Sequence, residues 1–263
     1  GTRGMQASNV DGVNAALKET AKLKNQQSQM IMNATLQKNV SDPEFDKYTE
    51  SMDSWGNQGS LSLQAGKNYE YIVIDGGSID GTLKILKKYK KKISKVICEK
   101  DKGIYDAFNK GMRIAKGEFI CIVNSDDVLT KNALKIIKKY INKHPKIDFI
   151  FGSVKKHWGV LYGYRPKKIK YSWGFYSSHS TGFFIKRDSA KKVGLYNIKY
   201  KYHADYDYFY RMIVKKKMKG LATKKHEVVG IFRRGGFSST IPYRKMFVEE
   251  LKIRYNNGQS IIL

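Results

Sequence analysis

A chain of 263 residues, 41% hydrophobic and 13% aromatic, can bury a sizeable core, which excludes a disordered polypeptide. No apolar run approaches the roughly 20 residues that span a bilayer, and no secretory pattern opens the chain. Its 50 basic and 23 acidic side chains give a net charge of +27, which favours anionic partners: nucleic acid, an anionic lipid surface or phosphate-bearing substrates.

The charge is uneven. Residues 1–67 hold seven basic and seven acidic side chains, so the whole excess falls on residues 68–263, together with 17 of the 18 tyrosines. That shift predicts a boundary near Lys67 and Asn68. Before it, "NVDGVNAALKETAKLKNQQSQMIMNATLQKNV" is rich in Ala, Gln and Asn and reads as helix. "SDPEFDKYTESM" restarts a helix at a Ser/Asp cap with Pro and Glu behind it. Residues 1–67 are thus expected to be a helical N-terminal extension, either a capping or partner-binding piece or sequence foreign to the rest.

Beyond residue 68 strands and helices alternate. "YEYIVID" is an apolar strand ending at Asp75, followed by a Gly-Gly-Ser turn and a helix to about Tyr89. "KVICE" is a second strand, and "IYDAFNKGMRIA" a second helix closed by Lys116-Gly117. "EFICIVN" and "IDFIFGSV" read as further strands, separated by the helix "LTKNALKIIKKYINKH", which stops before Pro145. The lysines of "KILKKYKKKISK" and of the third helix fill faces opposite Ile and Leu, so they are expected to line solvent. Later come a short hairpin in "KKHWGVLYGYRP", a strand "GFFIKR" and the helix "HADYDYFYRMIVKKKM". The strand "HEVVGIFRRGGFSST" and a terminal helix "YRKMFVEELKIRYNN" close the chain.

Strand–helix repetition at this pitch predicts an α/β fold with a mostly parallel sheet between two helical layers. Ligands bind such sheets beyond the carboxyl ends of the strands, where Asp75, Glu99, Asp101, Asp126 and Asp127 fall. Two adjacent carboxylates after an apolar strand repel and resist desolvation, so Asp126 and Asp127 are expected either to cap the next helix or to hold a cation. Cys98 and Cys121 lie in strand-like runs and are expected in the core of a protein from a reducing, cytoplasmic compartment.

"YEYIVIDGGSIDGT", "EKDKGIYDAFNKGMRIAKGEFICIVNSDD" and "YHADYDYFYRM" closely resemble the family 2 glycosyltransferases of the GT-A fold, in the right order over about residues 68–240. The subgroup resembled assembles surface polysaccharides. The family's opening strand–helix unit is not recognisable in residues 1–67. The resemblance implies a metal-dependent, inverting enzyme moving a sugar from a nucleotide-diphosphate donor, UDP-linked by preference, to a glycan or lipid-linked acceptor. It implies Mn²⁺ or Mg²⁺ bound by Asp126, with Asn124 standing where the family's Asp-x-Asp motif has its first Asp. Asp75 would read the base, Gly77 and Ser78 would turn the backbone beside it, and Asp101, Tyr105, Asn124 and Asp127 would complete the donor site.

Asp205 would be the base that deprotonates the acceptor, in a segment with Ala204 where the family commonly has Glu. Asp207 cannot share a helical face with Asp205 and would fix the helix or an Arg, or else join His179 and Arg233 in acceptor or diphosphate contacts. The basic surface would allow peripheral contact with an anionic membrane. Two other readings stay open at this point: an inactive nucleotide-sugar fold serving as a binding module, and a nucleic-acid-binding protein driven by charge, for which no recognition motif is present.

Overall fold

The computed structural model describes residues 69–124, 127–171, 180–232 and 242–259. The expected N-terminal extension, Asp126, His179 and Arg233 lie outside the described residues. The first strands and helices are β1 (Ile72–Asp75), α1 (Thr82–Lys88), β2 (Lys95–Cys98), α2 (Ile104–Ile114), β3 (Phe119–Cys121), β4 (Val128–Leu129) and α3 (Ala133–Lys143). There follow β5 (Phe149–Phe151), β6 (Ser153–Lys156), β7 (Gly159–Leu161), α4 (Lys168–Tyr171), β8 (Phe183–Lys186) and α5 (Arg187–Val193). The last are α6 (Ala204–Tyr210), β9 (Gly220–Ala222), β10 (Val228–Ile231) and α7 (Tyr243–Asn256).

Strand alternation builds the layers. Ile72 and Ile74 of β1, Ile120 of β3, Phe149 and Phe151 of β5 and Phe183 and Ile185 of β8 enter one core, against α2, α6 and α7. Their neighbours Val73, Phe119, Cys121, Ile150 and Phe184 enter a second core, against α1 and α3. One strand layer therefore lies between two helical layers, which is the expected α/β/α architecture. Strand direction within it is mixed. β1 pairs in parallel with β2, and β5 with β9, but β8 runs antiparallel between β3 and β5. A second four-stranded sheet, in the order β4-β10-β6-β7, stands beside it.

The first core is aromatic. Tyr105, Tyr196 and Tyr208 stack in series, with centroids 5.6 and 4.3 Å apart, and Phe149, Phe151, Phe183 and Phe209 meet edge-on or tilted. Each such pair adds about 0.5–1.5 kcal/mol beyond its buried area.

Three expectations are corrected. "IDFIFGSV" is two strands in two sheets, because the chain changes sheet at Gly152, where a Cβ would lie 2.1 Å from Val229 Cγ2. The helix expected through Met218 keeps α geometry only to Tyr210 and then widens to a π turn over Arg211–Lys215, ending where Lys217 takes φ 50°. Cys98 is exposed rather than in the core, since β2 buries little of itself; both cysteines are free thiols. The lysines of α1 and α3 do line solvent.

Candidate active site

Asp75 ends β1 fully buried, and its carboxylate shapes the turn that follows. Oδ2 accepts bonds from the amides of Gly77 (3.2 Å) and Ser78 (3.0 Å), and Oδ1 accepts the Ser78 hydroxyl. Gly77 takes φ +89°, open to glycine at little cost, and its backbone passes beside Lys100. Cys98, the register partner of Asp75 on β2, donates its thiol to Oδ2 at 2.9 Å. That bond to a carboxylate, aided by burial, pushes the Cys98 thiol up to about 11.

Asp101 follows β2 and is grasped by Lys110 of α2, Nζ to Oδ1 at 2.5 Å. Lys110 also reaches Glu99 at 3.0 Å. Burial pushes the Asp101 carboxyl above its ordinary value against the pull of Lys110. Burial alone would lower the Lys110 ammonium, but its bonds to Asp101 and Glu99 outweigh that and raise it. Asp101 Oδ2 is buried and accepts no hydrogen bond from the protein.

Tyr105, in the first turn of α2, joins this strand-end edge to α6. Its hydroxyl donates to the carbonyl of Tyr202 (3.0 Å) and lies 3.3 Å from Asp205 Oδ1, which also accepts the Tyr206 amide at 2.9 Å. Asp207 points elsewhere: Oδ2 pairs with Arg211 Nε at 2.9 Å and Oδ1 accepts Asn257 Nδ2 at 3.0 Å. Two residues along a helix are about 200° apart, so the two aspartates serve opposite sides.

Beyond β3, Asp127 is buried, and its Oδ2 accepts the Thr181 hydroxyl (2.6 Å) and the Asn124 amide (3.1 Å). Asn124 Nδ2 also bonds Ser180 Oγ at 2.9 Å, while Asn124 Oδ1 is buried without a protein donor. These bonds tie the end of β3 to the turn before β8.

Two residues escaped the sequence reading. Lys156, at the end of β6, lies within the fields of both Asp127 and Asp205, with its ammonium 4.5 Å from the Phe232 ring centroid. Burial lowers its ammonium below the ordinary lysine value, opposed by those two aspartates. Glu249 of α7 accepts three successive backbone amides, from Lys201 (2.7 Å), Tyr202 (2.6 Å) and His203 (2.8 Å). It therefore holds the segment that leads into α6 and Asp205. Lys156 was hidden in a lysine pair and Glu249 in a glutamate pair, and only three-dimensional placement separates each from its neighbour.

The described site thus brings Asp75, Gly77 and Ser78 against Cys98 and Lys100, links Tyr105 to Asp205, and leaves Lys156 within the fields of Asp127 and Asp205. The three-layer α/β fold, with acidic side chains at its strand carboxyl ends, is that of the GT-A class. Residues 50–199 match the family described as Glycosyl transferase family 2, and the chain belongs to that family. It is a glycosyltransferase.

A PGL/p-HBAD biosynthesis glycosyltransferase of Mycobacterium bovis is 26% identical over 215 residues, which cover 78% of this chain and 80% of that protein. The fold is similar to that of Staphylococcus aureus TarS 1-349 in complex with UDP-GlcNAc, with a TM-score of 0.56, 18% identity, and coverage of 80% of this chain and 62% of that one. It is also similar to a mannosyltransferase of Pyrobaculum calidifontis in complex with GDP-Man and Mn²⁺, with a TM-score of 0.52, 15% identity, and coverage of 82% and 60%. The chain therefore spans less than two thirds of these two solved structures.

Proposed function

We propose that the chain transfers a hexosyl or N-acetylhexosaminyl group from a UDP-linked donor to a hydroxyl of a glycan or lipid-linked acceptor, with inversion and with a divalent cation bound. The observation that carries this reading is the contact between Tyr105, beside the strand ends, and Asp205 of α6, with Lys156 near both Asp205 and Asp127. These contacts support a reading in which donor-side and acceptor-side groups would face one crevice.

Asp205 would accept the proton of the acceptor hydroxyl while the oxygen's electron pair attacks the anomeric carbon. The bond from that carbon to the diphosphate oxygen breaks, its electrons leave with UDP, and a single displacement inverts the centre. Tyr105 orients the Asp205 carboxylate through its hydroxyl. Lys156 places a positive charge where the diphosphate would sit, and Asp101 Oδ2 offers an acceptor to a donor N–H or hydroxyl.

The donor set fits a hard cation. Asn124 Oδ1 is a buried oxygen with no protein partner, and Asp126 adds a carboxylate by expectation from the sequence; no group of three His, Cys, Asp or Glu forms a metal cluster among the described residues. A Mn²⁺ or Mg²⁺ held there beside the donor phosphates would stabilise the charge on departing UDP. The UDP-GlcNAc bound by TarS and the Mn²⁺ of the mannosyltransferase, both structural neighbours, support this choice.

The test is UDP release from a panel of UDP-sugars with Mn²⁺ or with chelator. Asp205→Asn should lower kcat by about 10²–10⁴-fold, the usual worth of a general base, while UDP still raises the melting temperature. Retained turnover in Asp205→Asn would remove Asp205 from the base role. Asp126→Ala should erase the Mn²⁺-dependent part of the UDP-induced shift.

A further inference from the structure

Helix α7 divides its surface sharply. Inward, Ile253 is fully buried, and Glu250 pairs with the buried Arg254 at 3.0 Å. Glu249 is engaged with the amides of residues 201–203. Both acids of the helix are therefore consumed by the fold. Outward, at about 100° per residue, Arg244, Tyr255, Val248, Lys252 and Lys245 follow one another within a single arc about 100° wide. Tyr255 is 72% exposed and Val248 42%. The arc holds three cations, no acid, and apolar or aromatic groups between them. Beside it, Lys199 and Tyr202 share with Arg244, Lys245 and Lys252 a cleft of about 990 Å³, whose two acids are already engaged, Asp207 by Arg211 and Asn257 and Glu249 by the amides of residues 201–203.

We propose that this face of α7 docks on a bilayer containing anionic phospholipid. Aromatic rings and short apolar groups enter the headgroup boundary while Lys and Arg meet phosphate, which is how an interfacial helix binds. The cleft's lysines and Arg244 complement the same headgroups. Charge complementarity selects the bilayer over an apolar protein surface, which would leave three clustered cations without partners. The docking itself is independent of the transfer reaction. On the catalytic reading above, it would hold Asp205, positioned through Glu249, near lipid-linked acceptors.

The experiment is co-sedimentation of the full chain with phosphatidylcholine vesicles, with and without phosphatidylglycerol. The chain should bind only the anionic vesicles, and both Val248→Ser/Tyr255→Ser and Lys245→Glu/Lys252→Glu should weaken binding at least tenfold. The control Lys135→Glu/Lys138→Glu, with the same charge change on α3, should weaken it less than threefold. The Val248→Ser/Tyr255→Ser variant should keep the unfolding midpoint and UDP release with a soluble acceptor. Three results would overturn the proposal: no binding by the parent chain, equal losses from the α3 and α7 variants, or a parent dimer that the Val248 and Tyr255 changes dissociate. If UDP release is absent in every variant while vesicle binding follows this pattern, the catalytic reading fails and the docking stands.

Discussion

The Glu249 carboxylate grips Lys201, Tyr202 and His203 by three amides, and Tyr105 grips the same segment from the other side through the Tyr202 carbonyl. Asp205 follows two residues later, so this double grip fixes where its carboxylate stands. Hydrogen bonds to a charged group are worth about 1.5–3 kcal/mol each, but such bonds are not additive and the exposed Lys201 amide regains water when released. Glu249→Ala should therefore lose about 3 kcal/mol of stability, which a protein of ordinary stability survives. Glu249→Gln keeps one acceptor oxygen for Tyr202 and His203 and should lose about 1 kcal/mol. Catalysis should be more sensitive than stability, because a displacement of about 1 Å at a reacting group can cost 100-fold. Measured by denaturant unfolding and by UDP release, Glu249→Ala should show a kcat lowered about 30- to 100-fold with donor KM within about twofold, and Glu249→Gln should recover much of it. An alanine variant that loses stability yet keeps kcat would make Glu249 a mere anchor. One that loses neither would refute the clamp altogether.

Gly220→Ala would put a methyl group 2.0 Å from the buried Phe149 ring, its register partner on β5, and should cost about 3 kcal/mol by overpacking, read as a lower denaturation midpoint. Cys98, though exposed, should react slowly with iodoacetamide near pH 8, and its rate should climb toward a midpoint of about 11, because only the thiolate reacts and Asp75 holds the proton on sulfur. Asp75→Asn should move that midpoint down, and an unchanged profile would contradict the bond. Lys156→Met should weaken UDP binding about tenfold, or about 1.4 kcal/mol, by calorimetry. Since burial lowers the Lys156 ammonium, UDP affinity in the parent should fall on the alkaline side before surface lysines titrate, and the Met variant should lack that limb.

What could be read in advance follows from which signals are local. The continuous apolar run of Ile72, Val73 and Ile74 marks a strand buried on both faces, and its repetition with amphipathic helices made the α/β/α layering legible. The lysine faces of α1 and α3 were legible for the same reason at helical period. The break at Gly152 was not, because "IDFIFGSV" has strand-forming residues on both sides of its glycine and only the approach of Val229, 77 residues away, shows why glycine is needed there. The reversed β8 was hidden too, since alternation says which face a residue takes and nothing of strand direction. At the site, carboxylates after apolar strands stood out against their surroundings. Their partners did not: Lys156 and Glu249 each sit beside a like residue, and each gains its role from groups more than 25 residues distant rather than from its own neighbourhood.

The partners also sort the carboxylates. Asp75 meets two amides, a hydroxyl and a thiol, which makes it the keystone of a turn. Asp207 is engaged by Arg211 and Asn257, and Asp127 by Thr181 and Asn124, so both stiffen the crevice. Asp101 differs: Lys110 engages Oδ1, while Oδ2 is buried with no protein donor, as is Asn124 Oδ1. Leaving a buried acceptor unpaired costs about 1–3 kcal/mol, so folding alone gives no reason for either orphan. A nucleotide donor offers N–H and hydroxyl groups for the first oxygen, and its bound cation would suit the second. On the proposed reading, both penalties would be relieved on binding and would add to affinity for the donor.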